Sequence, residues 1–394
     1  MNLKIFNYKI IIIPFIIYFF IIILFINKNI VSKINVVIYY ININNEIRKI
    51  NNYLILCNDL EFIKIKEIKN NNNPKISIIS PNYNREKYII RLFKSIIYQY
   101  FNDIEIIFID DYSTDNSIKA IEEIRKMDDR IILLKNKKNK GTFISRNLGV
   151  QFSKGKYLIL PDPDDILSKN ILKICYNLAE KYKFDMIRFL HYKGNKIFSN
   201  QDIIHTRVKS IYQPELSLYT FYGNNELQII DSFINNKFIK KEVYLKSLNL
   251  LNKSYLNMYI ICYEDQIMNY IIYKIAKSFY FLFKIGYYYV RNNKSITKND
   301  FKISGLKIKF IFIYLRILFE FSKNNKEEKD IANIFLTTIN KNFNIEKELS
   351  SLVKKDSYNF YKDIANMFLR SKYISNGNKL LFTKIKNLIN KKIN

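Results

Sequence analysis

The chain has 394 residues, a mass of 47.4 kDa and 48% hydrophobic content, enough for one large domain or two ordinary ones, which excludes a disordered tail protein. Lys plus Arg number 64 against 35 Asp plus Glu, a net charge of +29 that ordinarily points to a polyanion or an anionic membrane surface; zero Trp, 8 Gly and an excess of Ile, Asn, Lys, Tyr and Phe instead look like the residue usage of an AT-rich genome, so the charge alone places no site. Three Cys (Cys57, Cys175, Cys262) with no CxxC pair and two His (His191, His205) exclude a disulfide framework and Cys- or His-based metal sites, leaving carboxylates to hold any metal.

The first element is an apolar run from Ile10 to Ile26, close to the shorter limit for crossing a bilayer and extended by Ile5, Phe6 and Tyr8. Asn27-Lys28-Asn29-Ile30 offers no small-residue cleavage site, so the run reads as an uncleaved membrane anchor rather than a cleaved signal. Lys4 and Lys9 before it balance Lys28 and Lys33 after it, which leaves orientation open. A single-pass membrane protein is expected, in the secretory pathway (Golgi or ER) of a eukaryote or otherwise in the cell membrane. Residues 28–73 read as a helical stem, with Ile30, Ile34, Val37 and Ile41 in near-heptad spacing and Ile47, Ile50 and Leu54 out of phase. The stem ends in the linker Asn70-Asn71-Asn72-Asn73-Pro74.

From Lys75 short β-rich runs alternate with helical segments. Strands are predicted over Lys75–Ser80, Ile104–Asp110, Arg130–Lys135, Lys156–Leu160 and Phe184–His191. Helices are predicted over Glu86–Tyr98, Asn116–Met127, Thr142–Phe152 and Ser168–Tyr182, the last three opened by the capping types Asp115, Gly141 and Ser168. Such alternation predicts an α/β fold with a doubly wound, mostly parallel sheet. Polar clusters fall at or after the carboxyl ends of four strands: Pro81-Asn82-Tyr83-Asn84, Asp110-Asp111, Asn139-Lys140-Gly141 and Asp162-Pro163-Asp164-Asp165. In open α/β sheets the ligand crevice lies outside those ends, so the four clusters converge on one edge.

Three carboxylates within four residues repel one another unless a cation or protons relieve them, and oxygen-only ligands suit Mg²⁺ or Mn²⁺. A solvated turn followed by a helix cap is the competing reading of that cluster. Asp110-Asp111 meets the same test, although Ser113, Thr114 and Asp115 already supply a cap. Gly141 opens the helix that carries Arg146 and Asn147, a place where a phosphate is favoured. Tyr83 offers an aromatic face to a base or sugar.

In order and at ordinary spacing, ISIISPNYNREKYIIRLFKSI, FIDDYSTDNS, NKGTFISRNLG and GKYLILPDPDD resemble the motifs of the family 2 glycosyltransferases, which have the GT-A nucleotide-sugar fold. The likeness runs from Pro74 to about His191 and continues more weakly through NNKFIKKEVYLKSL, YEDQIMNY and IGYYYVRNNKSI. It implies that Pro81 and Tyr83 flank the nucleotide base, Tyr83 by stacking, and that Asp111, with Asp110 second, hydrogen-bonds the base or its ribose. Arg146 would lie near the donor's phosphates or sugar. Asp162 and Asp164 would form the metal-and-donor motif for Mn²⁺ or Mg²⁺, Asp164 as the metal ligand and Asp165 as a helper. Asp265 would be the general base, with Glu264 its rival; the pair also fits a plain helix cap. Tyr112 stands where the family commonly has a small residue, and Asn235 replaces a Trp often found before Asn236-Lys237.

The domain reading is therefore residues 1–27 as N-terminal tip and anchor, 28–73 as stem, 74–300 as catalytic domain and 301–394 as a helical tail. In the tail, Leu306, Phe310, Ile313 and Ile317 share one stripe, and KFIFIYLRILFEF, with Lys309, Arg316 and Glu320, is too short and too charged to span a bilayer. It is expected to pack on the catalytic domain, with a membrane-surface role as the other reading. The expected activity is inverting transfer from a nucleotide-sugar to a glycan, glycolipid or glycoprotein acceptor. Transfer to a polyprenyl phosphate at the cytosolic face and a non-catalytic, basic, membrane-tethered module are the alternatives. No nucleic-acid partner is expected.

Overall fold

The computed structural model describes residues 73–193, 196–198, 233–260, 264–290 and 376–393, with single helical positions between 313 and 370. The expected anchor, and the stem up to residue 72, lie outside the described residues. Strands β1 (Ile76–Asn82) and β2 (Ile104–Asp110) are buried along their whole length, as apolar runs covered on both faces must be. They pair in parallel from Ile76↔Ile104 to Asn82↔Asp110, so the polar residues that end them leave the sheet side by side. Parallel β3 (Ile131–Lys135) joins β2, and parallel β4 (Tyr157–Ile159) joins β1. Helices α1 (Glu86–Ile97), α2 (Ser117–Arg125) and α3 (Thr142–Phe152) make the connections.

Each helix follows from its residues. Ile89, Leu92, Phe93 and Ile96 of α1 fall three or four apart and bury one stripe against the sheet. The N-caps of α2 and α1 are Asn116 and Arg85, not Asp115, but Asp115 accepts the first backbone donor of each helix, the Ser117 N–H at 3.0 Å and the Glu86 N–H at 3.2 Å. In α3, a Cβ on Gly149 would come within 2.4 Å of Ile79 Cγ2 and 2.6 Å of Ile109 Cδ1. The missing side chain therefore sets how closely the helix bearing Arg146 lies on β1 and β2.

The second half consists of β5 (Ile166–Leu167), α4 (Ile171–Tyr182), β6 (Met186–Lys193), β7 (Lys196–Phe198), β8 (Lys237–Lys240), α5 (Lys241–Leu250), α6 (Lys253–Leu256), α7 (Glu264–Ile275) and β9 (Phe279–Tyr289). The strand order is β3-β2-β1-β4-β8-β6-β9-β5, with β7 beside β6. The sheet is mostly parallel, as expected, but it is also mixed. Its longest ladders, β1 with β2 and β6 with β9, are parallel, but β8 runs antiparallel to both β4 and β6, and β5 antiparallel to β9. The cause is the entry of β8: Asn235 and Asn236 precede it at the edge where β4 ends, so the strand runs back between its neighbours. A smaller correction concerns α4, whose N-cap is Asn170 in a left-handed conformation (φ 66°) and not Ser168.

Among the described residues no helix is long and apolar enough to cross a membrane. Helix α8 (Asn376–Ile393) is the continuous stretch of the tail among the described residues. Ile313 and Ile317 are buried, and Glu320 accepts a 2.9 Å hydrogen bond from Tyr255 Oη of α6.

Candidate active site

The carboxyl ends of β1, β2 and β4 form one edge, and two polar networks occupy it. In the first, Asn82 at the end of β1 donates through Nδ2 to Asp110 Oδ1 at 2.9 Å and to Ser113 Oγ at 3.2 Å, and the Ser113 N–H reaches Asp110 Oδ2 at 3.0 Å. Both oxygens of Asp110 thus hold the turn together. Asp111 does similar work across a longer reach: Oδ1 accepts from Asn136 Nδ2 and the Lys140 N–H, and Oδ2 from the Gly141 N–H, each at 2.8 Å. Gly141, with φ 86°, can turn its N–H to Asp111 in a backbone region that other residues resist.

Between these pinned neighbours Tyr112 takes a left-handed backbone (φ 69°), a conformation costing a non-glycine residue about 1–3 kcal/mol. This is the position where the sequence departs from a small residue, and the strain is the physical trace of that departure. Tyr83 and Tyr112 are both exposed, at 43% and 55%. Pro81, by contrast, is a buried strand residue opposite Ile109.

The second network centres on Arg146 of α3, whose side chain is only 4% exposed. Its Nη1 donates to Asp265 Oδ1 at 2.6 Å and lies 3.7 Å from Glu264 Oε1, and its Nη2 donates to Asp162 Oδ1 at 3.2 Å. One guanidinium so joins the strand-end Asp162 to the first turn of α7, 119 residues from Arg146 in the chain for Asp265. Arg146 is held charged beyond its ordinary range by these carboxylates, against the opposing effect of burial. Burial pushes Glu264 up to about 8, helped by the charge of Asp265 and opposed by Arg146. Burial also raises Asp162 above the usual carboxylate range, with Arg146 pulling down and Asp265 and Asp164 pushing up. The Asp162 side chain keeps 32% of its surface exposed, which limits that rise.

The other two carboxylates of the cluster part company. Asp165 points inward, Oδ2 accepting from Tyr287 Oη at 2.7 Å and Oδ1 from the Val290 N–H at 2.9 Å, and burial holds it well above the ordinary range. The same Tyr287 oxygen accepts the Asp162 N–H at 3.0 Å, so β9 clamps the turn at two points. Asp164 faces Arg85 Nε at 3.6 Å, and Arg91 donates to its backbone carbonyl.

A divalent cation fits this arrangement in one way. No group of three His, Cys, Asp or Glu among the described residues forms a metal cluster, Asp165 is committed to the fold, and Asp162 is bonded on both oxygens, to Arg146 and to Asn235 Nδ2 at 3.1 Å. Asp164, with its loose ion pair, can supply one carboxylate, which suffices for ions that take one or two carboxylates and complete their shell with water and phosphate oxygens.

All the residues singled out in the sequence lie at this edge except Pro81, which packs just inside it. Sequence reading missed Arg85, Arg91 and Tyr287 and passed over Asn235 as a mere departure. Arg85 and Arg91 stand inside the first quoted motif, and nothing in the sequence singles out Tyr287 from its two tyrosine neighbours.

Residues 77–242 match the family described as glycosyl transferase family 2. That stretch is the chain's family 2 glycosyltransferase domain. The chain is 27% identical to glycosyltransferase GlyG of Streptococcus pneumoniae over 238 residues, 58% of this chain and 75% of that one. It is also 27% identical to the glycosyltransferase MG060 of Mycoplasma genitalium over 292 residues, 72% of this chain and 90% of the other. Among solved structures, S. aureus TarS 1-349 in complex with UDP-GlcNAc superposes with a TM-score of 0.58 at 18% identity, covering 81% of this chain and 89% of that 1-349 chain. The fold is GT-A-like, an α/β architecture on a mixed sheet.

Proposed function

We propose that the protein is a membrane-anchored, inverting glycosyltransferase that moves a sugar from a UDP-sugar to a hydroxyl of a glycan, glycolipid or glycoprotein. The observation that carries this reading is the Arg146 guanidinium, which draws Asp162 and Asp265 into one crevice of a family 2 domain. The uridine nucleotide is chosen because the TarS structures of the same fold hold UDP and UDP-GlcNAc.

At the nucleotide end, the exposed ring of Tyr83 stacks on the base above Pro81, and Asp111, whose Oδ2 takes a single protein hydrogen bond, accepts one more from base or ribose while Asp110 fixes the turn. Mn²⁺ or Mg²⁺ held by Asp164, with Asp162 beside it, would act as a Lewis acid toward the departing diphosphate. Arg146 orients the donor next to Asp162. The acceptor hydroxyl gives its proton to Asp265 Oδ2, whose contact from the Ile234 N–H is a long 3.4 Å, while Oδ1 stays on Arg146. One base and one in-line displacement, with no second nucleophile, invert the anomeric centre. Glu264, which burial pushes up to about 8, already carries a proton at neutral pH and so does not take the one from the acceptor.

The test is a panel of UDP- and GDP-sugars assayed for transfer and hydrolysis with Mn²⁺, Mg²⁺ or EDTA. Asp265→Asn is expected to keep donor affinity within about threefold while turnover falls about 10²- to 10⁴-fold. Asp164→Asn is expected to weaken metal-dependent donor binding as well. Wild-type turnover in Asp265→Asn removes Asp265 as the base, and equal donor affinity with and without EDTA removes the metal.

A further inference from the structure

The segment leading into β8 touches both carboxylates held by Arg146. The Ile234 N–H points to Asp265 Oδ2 at 3.4 Å, and Asn235 Nδ2 donates to Asp162 Oδ2 at 3.1 Å. Asn235 is 2% exposed, and its carbonyl oxygen Oδ1 is buried with no hydrogen-bond partner. Turning the amide over does not help: an ionised carboxylate only accepts, so Nδ2 must face Asp162 and Oδ1 must face away from it. A second orphan stands on the other side of the same carboxylate. Arg146 Nε is buried without a partner, and it shares an edge of the guanidinium fork with Nη2, the atom bonded to Asp162 Oδ1.

Asp162 is therefore flanked by an unmatched donor and an unmatched acceptor, each carrying a desolvation cost that only a hydrogen-bonding ligand or water can offset. Asp162 itself is open to solvent, with 32% of its side chain exposed, so both orphans adjoin a carboxylate that a ligand can reach. Neighbouring substituents on a sugar ring, each able both to give and to accept a hydrogen, match such a spread of partners.

We propose that Asn235 is a specificity-determining residue for the transferred sugar: Nδ2 fixes Asp162, and Oδ1 accepts a hydrogen bond from a ring hydroxyl or acetamido N–H of the donor. This rests on the donor-site reading given under Proposed function. A site built to bond one particular substituent rejects sugars that lack it or turn it away, because its own buried groups are then left unmatched.

The full-length protein is assayed with UDP-glucose, UDP-galactose, UDP-N-acetylglucosamine, UDP-N-acetylgalactosamine and deoxy analogues of the best of them, alongside Asn235→Leu, which keeps the shape but neither gives nor takes a hydrogen bond, and Asn235→Gln. In Asn235→Leu, affinity for UDP alone is expected to stay within about threefold, while the ratio of kcat/KM between best and next-best donor falls at least about tenfold. One deoxy donor is expected to lose about tenfold with the wild type and nothing further with the variant. Equal losses for all donors, with the ratio kept, would reduce Asn235 to a prop for Asp162 and overturn the proposal. If neither variant folds, the wild type still decides: no single deoxy or deacetylated donor losing tenfold overturns it. Failure of the wild type to bind UDP at all would instead remove the donor reading beneath it.

Discussion

Glu264 holds its proton at neutral pH because its carboxyl is buried beside Asp265. Its folded value of about 8 lies above the ordinary 4.5, so between those values the folded chain binds more protons than the unfolded one, and stability contributed by this group is lost as pH rises through that window. Glu264→Gln has no proton to lose. Its melting temperature relative to wild type is therefore expected to rise from pH 5 to pH 9, as thermal denaturation at both values would show; a constant difference would mean that Glu264 is not protonated in the fold. At this scale the types and order of the site residues are legible in the sequence, since each polar cluster follows a strand. The facing of each oxygen is not. Asp111 turns to the 136–141 loop and Asp165 to Tyr287 and Val290 because those partners come from segments far along the chain, which residue type and local spacing do not encode.

The first strands and helices are legible because β1 and β2 are unbroken apolar runs and α1 has a clean apolar stripe. The direction of β8 is not, since KFIK is four residues long and its neighbours are chosen by where Asn235 and Asn236 enter the sheet. Helix α3 carries the most consequence for function, because Arg146 hangs from it and Gly149 sets its depth. Gly149→Ala would force a methyl into Ile79 and Ile109, an overpacking of about 1–3 kcal/mol. Lifting α3 also lifts Arg146 from Asp162 and Asp265, so urea denaturation is expected to show lower stability and the donor assay a turnover loss that persists at temperatures where the variant is folded. Unchanged stability would mean that the two isoleucines yield freely.

For the whole molecule, the apolar run from Ile10 to Ile26 makes a specific claim about partition. The full-length protein is expected to stay in the membrane pellet after carbonate washing, and a chain beginning at Asn70 to be soluble; release of the full-length protein would show that the run does not span. The family match ends at residue 242, yet Asp265, Tyr287 and Val290 lie beyond it and close the edge. The ties of the first network join residues 28 to 30 apart, Asn82 to Asp110 and Asp111 to Gly141, whereas Arg146 to Asp265 spans 119 residues and Asp165 to Val290 spans 125. Long closures form slowly, because the chain must give up its freedom before the contact rewards it. This edge is thus assembled late in the life of each new molecule: a nascent chain at residue 242 already holds the segments of β1 to β4 and their turns, but Asp265, the base proposed above, has yet to be synthesised.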